Sequence, residues 1–142
     1  MSFNVEFDYR FDSSDFFDGA VQSALEYAAR LWEDQINDSF TSVSPGIEFS
    51  IRDPSGNPPG ARNTVTLSEP IDDIRVFVGA SDRPFATRSA SSLAAAGFEG
   101  GDARGDILQS RIHPNFRGDG PGTDFEPFAG VISFKTAPDN PW

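Results

Sequence analysis

The 142-residue sequence predicts one α/β domain of the α+β kind, with a sheet of about five strands and one long amphipathic helix packed on it. Three observations carry this expectation. The first segment alternates apolar and polar residues with period two, the second repeats apolar residues at helical spacing, and short β-rich runs follow after that. No internal repeat or low-complexity tract interrupts the order, so residues 1–142 are read as a single domain.

Phe3, Val5, Phe7, Tyr9 and Phe11 alternate with Asn4, Glu6, Asp8, Arg10 and Asp12, the signature of a strand with one buried face. Ser13, Ser14 and Asp15 then offer side chains able to cap a helix. From about Asp18, the residues Val21, Ala24, Leu25, Ala28, Leu31, Trp32 and Ile36 recur at helical spacing, with Gln22, Glu26, Arg30, Glu33 and Asp34 on the opposite face. Ile47 to Ile51 and Thr64 to Leu67 flank a Pro/Gly loop and are predicted to pair as a hairpin. Ile74-Arg75-Val76-Phe77-Val78 reads as a central strand buried on both faces. Residues 82–123 are rich in Gly, Ala, Ser, Arg and Asp and are read as a long irregular loop, with Val131 to Phe134 as the last strand.

A 37% hydrophobic fraction with 14 phenylalanines is enough for one real core. The formal charge is −11, from 22 acidic and 11 basic side chains, and Lys135 is the only lysine. This balance repels polyanions and leaves no basic footprint for a nucleic acid. No run approaches the roughly 20 apolar residues that span a bilayer, so no membrane association is expected. With no cysteine there is no disulfide framework, thiolate nucleophile or cysteine-ligated zinc. The start, Met1-Ser2-Phe3-Asn4, lacks the basic and apolar regions of a Sec-type signal.

The single histidine, His113, cannot build a site of two or three histidines, and no G-x-S-x-G elbow, P-loop or G-x-G-x-x-G is present. A loop-packing histidine is the plain reading. Asp72 with Asp73, and Asp124 with Glu126, are adjacent carboxylates of the kind a glycosidase would use, although chance adjacency is expected in so acidic a chain. Asp119 and Asp124, in Gly118-Asp119-Gly120-Pro121-Gly122-Thr123-Asp124, are candidate calcium ligands, since carboxylates and turn carbonyls are the hard oxygens that calcium takes. That stretch lacks EF-hand spacing, and a plain Gly/Pro loop competes with the calcium reading.

In order along the chain, "ALEYAARLWEDQI", "IDDIRVFVGAS" and "GVISFKTAPDNPW" resemble the first helix, the central strand and the strand before the catalytic helix of metzincin-like, matrixin-related bacterial zinc metalloproteases. The resemblance covers nearly all of the chain. It implies a zincin-like N-terminal subdomain with a mixed, twisted sheet. The family's zinc motif, H-E-x-x-H-x-x-G-x-x-H, is missing. The expectation is therefore a scaffold and substrate-cleft portion that is inactive alone, with no catalytic residues and no cofactor of its own. Zinc enters only if a catalytic helix follows Trp142, and the implied partners are a peptide substrate or a missing C-terminal subdomain. A degenerate relative that has lost catalysis fits the same residues. Two other classes stay open: a non-catalytic calcium-dependent or adhesive module of an exported bacterial protein, and a glycoside-acting enzyme. Export by a leaderless route is preferred over a cytoplasmic location.

Overall fold

The computed structural model describes residues 3–37, 40, 42–56, 60–82, 93–99 and 127–136. The order of elements is β1 (Val5–Asp8), α1 (Gly19–Glu33), β2 (Glu48–Arg52), β3 (Arg62–Thr66), β4 (Ile74–Ser81), β5 (Ala94–Glu99) and β6 (Ala129–Lys135). Four strands form one mixed sheet in the order β1-β4-β6-β5, and β2 and β3 form a separate two-stranded sheet. β1, β4 and β6 run parallel, while β5 runs antiparallel to β6 at the end of the sheet. The fold is thus α+β, and among the described residues four strands and a hairpin stand where a single sheet of about five strands was expected, with the hairpin packed across the larger sheet as a second layer.

The alternating first segment makes a shorter strand than its pattern predicts. Val5, Phe7 and Tyr9 face one side of the sheet and join the cluster of Phe17, Val76, Val78 and Ala80. After Asp8 the chain turns, closed by the Asp12 amide donating to the Tyr9 carbonyl, and Phe11 crosses to the other side to pack edge-on against Phe77. The turn breaks the period-two register, so Phe11 does not share the face of Phe7.

The cap of α1 is Asp18, whose carboxylate accepts from the amides of Ala20 and Val21, and not the Ser13 to Asp15 group. Asp12 instead organises that group, accepting from the amides of Phe16 and Phe17. The buried line of α1 runs through Val21, Leu25 and Ala29 at i, i+4 spacing, and Ala29 alone is fully buried. Leu31 and Trp32, expected on the inner face, are 52% and 66% exposed. Glu33, expected to face solvent, falls on the buried line and accepts from the Val5 amide at 2.8 Å.

The hairpin expectation is met, with Phe49 opposite Val65 and Ile51 opposite Asn63. Its inner residues Phe49, Ile51, Val65 and Leu67 pack with Phe77, Phe128 and Val131 of the larger sheet. Phe49 meets Phe128 at 5.3 Å and 90°, the edge-to-face arrangement that the ring quadrupole favours. The loop after β2 lies close on β4 and β6. A Cβ on Gly79 would stand 2.7 Å from the Pro54 carbonyl carbon, and Ser133 donates from its buried hydroxyl to the Pro54 oxygen.

The expected central strand is found. From Arg75 to Ser81 every residue of β4 is buried. Its one charge, Arg75, is paired with Glu6 directly across on β1 at 2.6 Å and also donates to the Pro70 carbonyl. Inside the stretch read as irregular, Ala94–Glu99 is a strand, paired residue for residue with β6. Its Ala-Ala-Ala-Gly sequence has little intrinsic β preference, and the ladder to β6 overrides it.

Tyr9 provides a test of the helix-side core. Its hydroxyl is buried and has no hydrogen-bond partner among the described residues. Burial, and then the nearby charge of Glu26, pushes the phenol above its ordinary 10.0. The neutral phenol is therefore favoured by folding: its contribution is complete below the unfolded pKa and is lost as pH rises through the higher folded value. Tyr9→Phe is predicted to leave stability at pH 7 unchanged or raise it by up to about 1 kcal/mol, and to flatten the loss of stability above about pH 10, as read by denaturant melts across the alkaline range.

Candidate functional site

The larger sheet has two unlike faces. Phe77, Ala129 and Val131 point toward the hairpin, whereas Val76, Val78, Ile132 and Phe134 point toward α1. On the α1 face an apolar groove of about 370 Å³ runs over β4, β6 and β5, lined by residues including Ile74, Val76, Ile132, Ala96 and Phe98. Gly130 forms part of its floor. Phe98, at the rim, is 61% exposed. The groove shares Val76, Ile74 and Ile132 with the cluster against which α1 packs Val21 and Leu25. Among the described residues, α1 therefore covers one part of a continuous apolar face, and the groove is its remainder.

The groove ends at β5, whose backbone geometry follows from its register. The Lys135 amide donates to the Leu93 carbonyl at 2.8 Å, and pairing continues in step from Ala94 opposite Phe134 to Glu99 opposite Ala129. Opposed residues in an antiparallel ladder alternate between bonded and non-bonded pairs. Ala95, Gly97 and Glu99 thus turn their backbone groups toward β6, and Ala94 and Ala96 turn theirs outward. Among the described residues no strand pairs with this outer side.

On the hairpin side of β5 lies a charged cluster that sequence reasoning missed. The Glu99 carboxylate, with a side chain only 4% exposed, accepts from Arg52 Nε at 2.5 Å and pairs with Arg62 Nη2 at 3.2 Å. Arg62 is tied in turn to the Ser50 hydroxyl and carbonyl. Nothing in the spacing of residues 52, 62 and 99 signals this contact. The one available cue was that two arginines end the paired hairpin strands on one side.

The carboxylate candidates separate. Asp72 is exposed, and Asp73 is buried with a left-handed φ of 75°. The Asp73 carboxylate accepts from the backbone amides of Asn4 and Phe40, tying the chain before β1 and the segment before β2 to the start of β4. The two side chains do not converge on a site, and Asp73 has a structural role. His113, Asp119, Asp124 and Glu126 lie outside the described residues. Among the described residues no group of three His, Cys, Asp or Glu side chains is placed to hold a metal ion. A sequence with one histidine also does not fit a catalytic zinc set of three histidines.

Comparison with family models, with curated proteins and with solved structures finds no match to this chain.

Removing the Asp73 carboxylate takes the acceptor away from two half-buried backbone donors, the amides of Asn4 and Phe40. Asp73→Ala is predicted to destabilise the fold by about 2–4 kcal/mol. Asp72→Ala should stay within about 0.5 kcal/mol of the parent, as expected for an exposed position. Equilibrium unfolding in urea measures both, and equal effects would contradict the separate roles.

Proposed function

We propose that this chain is the N-terminal scaffold and substrate-cleft portion of a metzincin-like zinc metalloprotease, without catalytic capacity of its own. The observation that carries the reading is the partly covered sheet face. Among the described residues α1 packs on one part of it, and the apolar groove over β4, β6 and β5 leaves room for a second helix in the same layer. The sequence resemblance puts a zinc-bearing helix directly after the strand that is β6 here. Such a helix would lie against Val76, Ile132 and Gly130 and bury them.

The antiparallel end strand supports the same reading. Ala94 and Ala96 direct backbone donors and acceptors outward, so an extended peptide can add to the sheet by main-chain hydrogen bonds. Small side chains here let the incoming strand approach closely. The chemistry of peptide hydrolysis would come from zinc held by the following helix. This chain's own residues bind and align, and none of them is assigned a proton-transfer role.

Two measurements test the proposal. The coding sequence read past codon 142 should continue into H-E-x-x-H-x-x-G-x-x-H, and a continuation without histidines contradicts it. The purified 142-residue chain should show no zinc-dependent peptide hydrolysis, so cleavage that a chelator abolishes would also contradict it. A melting temperature that rises with calcium, with no such continuation, would instead support the calcium-dependent module.

A further inference from the structure

β5 carries small side chains along most of its length. It is built from three alanines, Gly97, Phe98 and Glu99, and among the described residues it hydrogen-bonds as a strand only to β6. Yet a strand that receives a peptide must be held at a fixed height against its neighbours, because misplacement weakens every main-chain bond together. The hairpin reaches β5 at two positions on one face. Arg52 extends from the end of β2, and its guanidinium lies over Gly97, where any Cβ would run into Nη2. Two residues further along, on the same face, the buried Glu99 carboxylate is held by Arg52 and Arg62.

We propose that Arg52, Arg62, Gly97 and Glu99 form a clamp through which the β2–β3 hairpin positions the end strand β5. The inference deepens the peptide-edge reading and, for its functional meaning, rests on it. The glycine and the carboxylate belong to one device. Gly97 leaves the space into which Arg52 Nη2 points, and Glu99 supplies the charge that keeps the guanidinium there. Neither residue is catalytic. The carboxylate is sequestered by the two arginines, which reach β5 from the hairpin side, while the groove opens on the α1 side and shares only the Gly97 backbone with the clamp. A buried carboxylate held by two cations fixes geometry more reliably than it adds stability, since desolvation offsets much of the attraction.

Amide hydrogen exchange on the full chain tests this. Glu99→Gln and Gly97→Ala should each speed exchange at positions 95 and 99 by about tenfold, while Phe77 and Val78 in β4 keep the parent rates. The double variant should match either single variant, because both break one device. Uniform acceleration across β4 and β5, additive effects in the double variant, or unchanged exchange in both singles would overturn the clamp. Titration of the parent chain with a capped peptide of alternating threonine and valine separates the two ideas. Localised exchange effects without peptide binding uphold the clamp and remove the peptide-edge reading. Peptide binding with unchanged exchange in both variants removes the clamp alone.

Discussion

The structure depends on a strand that has no solvent-facing side. β4 is buried from Arg75 to Ser81, so both of its faces need an apolar cover, and its one charge needs a partner. The hairpin, with Phe49, Ile51, Val65 and Leu67, supplies one cover. The helix α1, with Phe16 and Phe17 ahead of it, supplies the other. Glu6 supplies the partner for Arg75 from the adjacent parallel strand. Each buried aromatic or aliphatic side chain contributes about 1.5–3 kcal/mol by leaving water, so the two covers carry most of the drive to fold.

The two covers are unequal. The hairpin lies close against its face, with Pro54 seated on Gly79 and Ser133. α1 buries a narrow line of Val21, Leu25 and Ala29 and leaves Tyr27, Leu31 and Trp32 exposed. The groove follows from this difference, because fifteen helical residues over one side of a four-stranded sheet do not reach β5. Among the described residues, one face of the larger sheet is incompletely covered and the outer backbone of Ala94 and Ala96 has no strand beside it.

Legibility in the sequence followed the strength of local patterning. The hairpin and the central strand were readable because Val, Ile, Thr and Phe cluster there and leave little choice of period. The start of β1 was readable, but the turn after Asp8 was not, since Phe11 keeps the alternation in sequence while leaving it in space. Asp18 was hidden as a cap by three earlier residues of equal capping ability. β5 was not readable, because alanine and glycine report no strand preference and its pairing with β6 bridges a long separation in sequence. Of the acids, the adjacent Asp72 and Asp73 were visible in the sequence, and Asp73 secures backbone amides, while Glu99, held by the two hairpin arginines, stood in no motif.

The central claim is that the antiparallel end strand forms an edge able to receive a peptide. It is tested most directly by mapping amide chemical-shift changes on the isotope-labelled chain as a capped, extended peptide is added. The account predicts that the largest changes fall at Ala94 and Ala96, whose amides face outward, with smaller ones at the β6 residues behind them. Changes confined to the exposed face of α1 around Tyr27 and Trp32, or no localised changes at saturating peptide, would contradict it.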